Sequence, residues 1–219
     1  MSTRILIVDD QALVRAGFRL VLESEKDFEV AGEAADGSAA VEAARRLKPD
    51  VILMDVRMPG VDGLEATRRI LSAGTTGLRI IMLTTFDLDE YVYAALQAGA
   101  CGFLLKDVTP EHLIDAVRLV KSGDALLAPS ITRRLVERYA ARPMRSTRQH
   151  DLEALTEREA DVLRWMARGL GNQEIAQKLF VSEATIKTHV AHILDKLRVD
   201  NRVQAVIAAY ESGMVTLGS

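Results

Sequence analysis

The chain has 219 residues, 48% of them hydrophobic and 27% charged, which is typical of a globular protein rather than a disordered or fibrous one. It contains no apolar run of 18 residues that would cross a membrane, and it enters a predicted strand too early to leave room for a secretory signal. Cys101 is the only cysteine, which excludes an intramolecular disulfide and a cysteine-based zinc cluster. We therefore expect a cytoplasmic protein with no membrane partner.

Charge is distributed unevenly along the chain. Residues 1–132 hold 14 Lys and Arg against 20 Asp and Glu, a net charge of −6. Residues 133–149 hold six Arg against one Glu, a net +5, and residues 150–219 hold 8 basic against 10 acidic residues, a net −2. The change near residue 133 predicts a domain boundary.

Short apolar segments alternate with amphipathic helical patterns over the first 130 residues. The predicted strands are Ile5–Val8, Phe28–Ala34, Val51–Met54, Ile80–Leu83 and Phe103–Leu105. Helical periodicity marks Val14–Leu22, Ala39–Leu47, Leu64–Leu71, Tyr91–Ala98 and Leu113–Val120. This alternation predicts an α/β domain, a doubly wound (βα)5 parallel sheet covered by helices on both faces.

Polar side chains stand where four of these strands end. They are Asp9 and Asp10, Asp55, Thr84 and Thr85, and Lys106. The carboxyl ends of parallel strands share one edge of a sheet, so we expect these groups to converge. Three carboxylates there need a neutralising cation, and Mg²⁺ (or Mn²⁺) suits such a set together with a phosphate. Pro59 cannot continue a central strand, which places Asp55 at the rim of the sheet. Taken alone, the stretch favours the simpler interpretation that Asp55 only begins a loop, and the other strand-end residues reverse that preference.

Helix-capping patterns mark several helix starts and ends. Asp62 with Glu65, and Thr156 with Glu159, each have the spacing of a capping box. Gly99 lies where a helix commonly ends in a left-handed residue.

The last 65 residues predict four short helices. The third carries an apolar stripe of Ile186, Val190, Ile193, Leu194 and Leu197. A tight connection between the second and third helices is typical of a helix-turn-helix module. The only tryptophan, Trp165, is interpreted as a core residue rather than a base-stacking platform.

The ordered set of strand-end residues resembles the receiver domain of bacterial two-component response regulators, over about residues 4–121. The resemblance implies that Asp55 accepts a phosphoryl group from a sensor histidine kinase. It also implies a metal site of Asp9, Asp10, Asp55 and the backbone carbonyl of Arg57. The same resemblance assigns phosphoryl binding and switching to Thr84, Thr85, Lys106 and Phe103. Phe103 could instead be simple core packing.

Residues 155–215 resemble the LuxR-type helix-turn-helix, and with a receiver they resemble the NarL/FixJ family of response regulators. The motifs are Leu155-Thr-x-Arg-Glu, Asn172-x-Glu-Ile-Ala, and Ser182-x-x-Thr-Ile-Lys-x-His-Val. The resemblance makes Glu183–Lys196 the recognition helix. It implies DNA contacts from Lys178, Ser182, Thr185, Lys187, Thr188, Ala191, Lys196 and Arg202.

The weak positive charge around the recognition helix predicts weak DNA binding by a monomer, because phosphate contacts drive affinity. We therefore expect a homodimer on promoter DNA, and family analogy places its contact on Val203, Val206 and Tyr210. The same analogy implies contact with RNA polymerase.

The predicted organisation is a receiver domain over residues 1–125, a linker over 126–150 and a DNA-binding domain over 151–219. The Arg-rich linker is interpreted as a solvated tether, and contact with DNA phosphate or with the acidic receiver is the alternative. The i,i+3 spacing of His189 and His192 could suggest metal binding, but neither a carboxylate nor a cysteine partner is evident.

Three other functions compete with a phosphorylation-switched transcription regulator that has no turnover activity. A phosphoaspartyl hydrolase of the haloacid dehalogenase kind needs a second Asp two residues after the nucleophile, where this chain has Arg57. A LuxR-type sensor of an apolar ligand would not need the acidic edge. A receiver that acts without phosphorylation is disfavoured by the complete acidic set. The sequence does not define the cognate kinase, the stimulus, the operator or the sign of regulation.

Overall fold

A computed structural model of the chain describes residues 2–73, 77–85, 94–95, 98–122, 152, 154–199 and 201–215. The chain divides into two compact units between residues 126 and 127, and each is described by itself. The linker predicted for residues 126–150 lies outside the described residues. Most of the predicted helix Tyr91–Ala98 also lies outside them.

The first unit contains a five-stranded sheet in which every strand pair is parallel. Its strands are β1 (Thr3–Val8), β2 (Phe28–Ala34), β3 (Val51–Asp55), β4 (Arg79–Thr84) and β5 (Gly102–Leu105). The strand order is β2-β1-β3-β4-β5. All residues of the central strand β3 are buried, as its uninterrupted apolar sequence predicts. The predicted parallel sheet is confirmed.

Four described helices of this unit are α1 (Ala12–Glu23), α2 (Gly37–Leu47), α3 (Gly63–Ser72) and α4 (Pro110–Lys121). Helix α1 contacts α4, and α2 contacts α3. Alternate strand residues point to opposite faces, so Leu53 and Ile81 join Phe18 and Val117 in one core. On the other face, Thr67 of α3 donates a hydrogen bond to the Met82 sulfur at 3.5 Å.

The capping box predicted at the start of α3 forms only in part. The Asp62 side chain accepts a hydrogen bond from the Glu65 N–H at 2.8 Å, as predicted. The Glu65 carboxylate does not return to the Asp62 backbone, and instead pairs with Arg68 at 3.3 Å and Arg69 at 2.9 Å. Two cations on the next turn outcompete a single N–H for this carboxylate. The prediction for Glu65 was wrong.

The second unit is helical. Its four helices are α5 (Glu157–Ala167), α6 (Asn172–Leu179), α7 (Glu183–Leu197) and α8 (Arg202–Glu211). The capping box of Thr156 and Glu159 is complete. The α7 stripe joins α5, α6 and α8 in one core, as its periodicity predicts. In the described part of the chain, no helix is long and apolar enough to span a bilayer.

Candidate functional site

The carboxyl edge of the sheet brings together side chains from three strand ends. The Lys106 ammonium, just after β5, lies 2.6 Å from Asp9 Oδ2 and 2.9 Å from Asp55 Oδ2. Asp9 follows β1 and is fully buried, while Asp55 ends β3 and is 4% exposed. One buried cation therefore bridges two buried carboxylates, the convergence that the strand-end pattern predicts.

A third carboxylate completes an acidic cluster at this edge. Asp10 is exposed, and oxygens of Asp9, Asp10 and Asp55 all lie within 4.8 Å of one another. Asp9 Oδ1 accepts a hydrogen bond from the Gln11 N–H at 2.9 Å, which fixes the carboxylate. An all-oxygen set of three carboxylates suits a hard divalent cation such as Mg²⁺. The cluster can bind a metal ion.

Burial and charge set the protonation of this site. Burial raises the pKa of Asp55 and the Lys106 hydrogen bond opposes it, but the net shift is upward. Burial alone would lower the pKa of Lys106, yet its bonds to Asp9 and Asp55 leave it raised. Lys106 therefore stays cationic at neutral pH.

Gly63, the first residue of α3, also shapes the Asp55 backbone. A Cβ atom built on Gly63 would lie 1.9 Å from the Asp55 carbonyl oxygen, so only glycine fits there. The Gly63 N–H donates to the Val56 carbonyl at 3.1 Å, which holds the helix start against the end of β3. The sequence pattern predicts Asp62-Gly63 only as a helix start, because helix-capping patterns carry no information on how closely the helix start approaches the preceding strand.

The predicted switch residues occupy different environments. Thr84 is buried, Thr85 is exposed, and Phe103 is buried beside Met82 in the β4–β5 register. The Thr84 carbonyl accepts a hydrogen bond from the Lys106 N–H at 2.7 Å. This bond joins the end of β4 to the backbone of the lysine that follows β5. The buried ring of Phe103 is compatible with core packing as well as with switching.

In the second unit, α7, the predicted recognition helix, exposes three of the residues predicted to contact DNA. Lys187, Thr188 and Ala191 are exposed on α7. Lys187 pairs with Glu183 at 2.8 Å, and both side chains are 46% exposed, so this pair is weak enough to be broken by DNA.

Two residues with predicted DNA contacts, Ser182 and Thr185, also organise the start of α7. Ser182 Oγ accepts the Thr185 N–H at 3.1 Å and lies 2.8 Å from Thr185 Oγ1. Both residues thus cap α7.

Three predicted DNA-contacting cations are engaged inside the unit. Lys196 lies 2.7 Å from the buried carboxylate of Glu159. Arg202 is 7% exposed and donates to Asn172 Oδ1 at 2.7 Å and to the Leu170 carbonyl. Arg202 thus ties α8 to the start of α6, and its predicted contact with DNA stays a prediction.

The third cation, Lys178, stacks on an aromatic ring. Its ammonium lies 4.9 Å from the centre of the Trp165 ring, and the Arg168 guanidinium lies 4.8 Å from the same ring. Trp165 is half-buried and packs against the core of the second unit, as predicted. Lys178 remains exposed.

The residues predicted for the dimer contact are not exposed. Val203 and Val206 are 0% and 5% exposed, and Val206 belongs to the core of the unit. The Tyr210 hydroxyl donates to the Ala167 carbonyl at 2.7 Å. Val206 and Tyr210 thus contribute to the packing of the second unit, and the dimer contact on α8 stays a prediction.

A receiver-like acidic edge and a helix-turn-helix unit define a class of signal-dependent regulators. Comparison of this chain with known protein families and relatives gives the same class. The response regulator receiver domain matches residues 5–118, and the luxR family of bacterial regulatory proteins matches residues 153–209. An uncharacterized transcriptional regulatory protein of Bacillus subtilis, YxjL, is 45% identical over 212 residues, 97% of each chain. The response regulator protein VraR of Staphylococcus aureus is 39% identical over 215 residues, 98% of this chain and 100% of VraR.

Solved structures extend the likeness to the whole chain. The response regulator ChrA of a heme-sensing two-component system is 40% identical, with a TM-score of 0.53 over 98% of this chain and 99% of ChrA. The RcsB response regulator of Salmonella typhimurium is 29% identical, with a TM-score of 0.56 over 94% and 96% of the two chains.

The chain belongs to the response regulators that join a receiver domain to a LuxR-type DNA-binding domain. It is a two-component regulator of transcription, not a turnover enzyme. The two domains imply a histidine kinase partner and binding to DNA.

Proposed function

We propose that Asp55 is the phosphoacceptor and that its phosphorylation by a sensor histidine kinase controls DNA binding. The observation that carries this proposal is the buried Asp55 carboxylate, held by Lys106 beside Asp9 and within the acidic cluster. Mg²⁺ (or Mn²⁺) would be held by Asp9, Asp10, Asp55 and the Arg57 carbonyl. When bound, the ion supplies charge neutralisation for the phosphoryl oxygens.

The chain's own residues position and activate the nucleophile. Asp55 Oδ1 accepts the Arg57 N–H at 3.3 Å, and Oδ2 pairs with Lys106. A carboxylate oxygen forms a bond to phosphorus while the bond from phosphorus to the donor histidine nitrogen breaks, and that nitrogen takes up a proton. Lys106 offsets the charge of the transferred group, which is catalysis by positioning and electrostatics.

The switch follows from the charge that the transfer adds. The phosphoryl group carries about −1.5 to −2 charge and three strong acceptors, and because it replaces the charge of the Asp55 carboxylate the net gain is up to about one negative charge. In our proposal Lys106 moves partly away from Asp9 and pairs with the phosphoryl oxygens. The hydroxyls of Thr84 and Thr85 move toward the same oxygens. Phe103 then fills the space that Thr84 leaves. The end of β4 is joined to Lys106 through the Thr84 carbonyl, so these movements are coupled.

The output is promoter DNA bound by a homodimer. We propose that α7 enters the major groove with Lys187, Thr188 and Ala191 toward base edges, and that Lys178 contacts phosphate. Ala191 offers only an apolar contact, such as one with a thymine methyl group. A dimer on two half-sites compensates for the weak charge of one copy. Because its DNA target lies there, the protein works in the cytoplasm, and a contact with RNA polymerase would transmit its effect.

Phosphate incorporation tests the assignment of Asp55. Wild-type protein with a small-molecule phosphodonor and MgCl₂ should gain one phosphoryl group by intact-mass measurement, and Asp55→Asn should gain none. Asp62→Asn is the matched control, because Asn caps a helix as well as Asp does, and it should incorporate phosphate like wild type. Incorporation by Asp55→Asn at the wild-type rate would overturn the assignment.

A further inference from the structure

A cleft lies at the amino edge of the sheet, opposite the edge that carries Asp55. It has a volume of about 940 Å³, and the ends of α2, α3 and α4 surround it together with the segments that lead into β3 and β4. We call it the amino-edge cleft. None of the residues assigned above to phosphorylation or DNA binding lines it. Small-molecule sites commonly have volumes of about 300–1,000 Å³, so the cleft is large enough to hold a ligand.

The floor of the amino-edge cleft is apolar. Ile70 of α3 and Leu78, just before β4, are 3% and 4% exposed, and Ala44 of α2 and Pro49 are also buried. All four residues line the cleft, and their side chains offer neither a hydrogen-bond donor nor an acceptor. A ligand that covers this floor therefore gains most from an apolar body.

Charged side chains form the rim of the cleft, and part of their charge is already neutralised. Asp50 accepts a hydrogen bond from the Arg4 N–H at 2.9 Å and pairs with Lys121. Arg69 pairs with Glu65 at 2.9 Å. The other charged residues of the lining are Glu42, Arg45 and Lys48.

Arg45 and Lys48 leave the rim with an excess of positive charge. In the part of the chain that the structure describes, neither residue forms an ion pair, and Glu42 is likewise unpaired. Two unpaired cations thus face one unpaired carboxylate. Cations in a last helical turn also offset the helix dipole, but Arg46 lies in the same turn of α2 and would do so without lining the cleft.

The backbone of Lys48 is a second, independent observation at this rim. Lys48 is the C-cap of α2 and has a left-handed conformation, with φ 46° and ψ 59°. Glycine is the common residue at such a position, because a side chain is sterically unfavourable there. The chain thus has a lysine where glycine would be less strained. A function for the Lys48 ammonium at the cleft explains this choice.

We propose that the amino-edge cleft binds a small amphipathic acid, an apolar ring system or chain that carries one carboxylate, sulfonate or phosphate group. The apolar body covers Ile70 and Leu78, and the acidic group pairs with Lys48 and Arg45. A wholly apolar ligand would cover these cations without pairing them, and a cationic ligand would be repelled. The cleft and the Asp55 site lie at opposite edges of the sheet, so this binding does not depend on the proposed phosphorylation.

Fluorescence titration of the full chain with two matched probes tests the need for an acidic group. The probes are 8-anilinonaphthalene-1-sulfonate and N-phenyl-1-naphthylamine, which has the same ring system without the sulfonate. The sulfonate probe should bind about fivefold more tightly than the neutral probe, as expected for a partly exposed ion pair. Equal affinity for the two probes would overturn the proposal.

Lys48→Gly tests the lysine that the proposal assigns to the acidic group. This variant should bind the sulfonate probe about fivefold more weakly, while its melting temperature should rise because the left-handed backbone is no longer strained. Arg198→Gly is the matched control. It also replaces a left-handed cation at a helix C-cap, at φ 52° in the second unit, and should bind the probe like wild type. Unchanged binding by Lys48→Gly would contradict the proposed site.

A bulky substitution at the wall tests whether the probe occupies the cleft itself. Ala73 lines the cleft and is exposed, so Ala73→Trp should fold like wild type, as circular dichroism can check, and should weaken binding of the sulfonate probe by filling the space. Ser72→Trp, one residue earlier and outside the lining, is its control and should bind like wild type. In NMR spectra of the full chain, the sulfonate probe should shift the amide signals of Gly77 and Leu78. Wild-type binding by Ala73→Trp, or amide shifts confined to exposed apolar residues elsewhere such as Leu13, would mean adventitious binding and overturn the proposal.

Discussion

The charge balance around Asp55 depends on a single lysine. Lys106 bridges two buried carboxylates, and without it Asp9 and Asp55 would be buried acids with no cation among the described residues. Leaving a buried charge unpaired costs about 3–5 kcal/mol. The same lysine therefore supports the fold, and under the proposed function it would also offer its charge to the phosphoryl group. Strand ends fix all three residues, so the site is assembled by the sheet itself.

Gly63→Ala should disturb this site through the backbone. The new Cβ would lie 1.9 Å from the Asp55 carbonyl oxygen, which forces α3 or the end of β3 to move. We expect a loss of about 1–3 kcal/mol in the free energy of unfolding of the first unit, the usual cost of overpacking, and slower phosphate incorporation. Urea denaturation followed by circular dichroism, with intact-mass measurement of incorporation, checks both effects.

Gly17→Ala is the control for that prediction. It makes the same chemical change in a helix where the Cβ meets nothing within 4 Å. Stability should rise by up to about 1 kcal/mol, as expected for glycine replaced by alanine inside a helix. Equal stability losses in the two variants would mean that the close approach at Gly63 is unimportant.

The recognition helix is braced by the first helix of its own unit. The buried Glu159 carboxylate accepts the Thr156 N–H at 2.8 Å, pairs with Lys196 at 2.7 Å and lies 3.8 Å from His192. One side chain thus caps α5 and fixes the C-terminal half of α7. Lys196, predicted to contact DNA, is thus paired with Glu159 in this structure, and its side chain is still 33% exposed.

Glu159→Gln should weaken the second unit in a pH-dependent way. Burial opposes ionisation, but hydrogen bonds from Lys196 and Thr156 lower the pKa of Glu159 to about 2, from an ordinary value of 4.5. The stabilisation by the carboxylate is therefore complete above about pH 4.5 and is lost as the pH falls toward 2. At neutral pH we expect a loss on the order of 2 kcal/mol, measured by denaturation followed through the fluorescence of Trp165.

Glu183→Gln controls for the loss of one acidic residue. Its pair with Lys187 is 46% exposed on both sides, so its removal should cost about 0.5 kcal/mol or less at every pH. If Glu159→Gln were as mild as this control, or if its effect persisted unchanged at pH 2, the brace would not act through charge.

The fold was predictable from sequence where one pattern dominates. Continuous apolar strands, amphipathic helices and the strand-end residues Asp9, Asp55 and Lys106 gave the sheet and its acidic edge. Contacts between distant segments were not predictable. The approach of Gly63 to Asp55, the burial of Arg202 and the pairing of Lys196 with Glu159 depend on packing that periodicity does not encode.

The chain combines a receiver unit, whose charge would change on phosphorylation, with a DNA-binding unit that carries little net charge. Phosphorylation of Asp55, as proposed, would add up to about one negative charge at one buried edge of the receiver unit, because a dianionic phosphoryl group replaces the charge of a carboxylate. The second unit has a net charge of −2 over residues 150–219, so a single copy gains little affinity from phosphate contacts. Control of dimerisation by the receiver would therefore be an efficient way to control DNA binding, because two weak readers on one duplex bind far more tightly than one.

The most direct test measures how phosphorylation changes DNA affinity. A DNA duplex with two half-sites is first selected from a random pool with phosphodonor-treated protein, and binding to it is then measured by fluorescence anisotropy. The phosphodonor should tighten binding by the wild-type protein at least tenfold and leave Asp55→Asn unchanged. Asp62→Asn should behave like wild type. The same affinity for wild type with and without the phosphodonor, or an equal gain by Asp55→Asn, would contradict control of DNA binding by phosphorylation of Asp55.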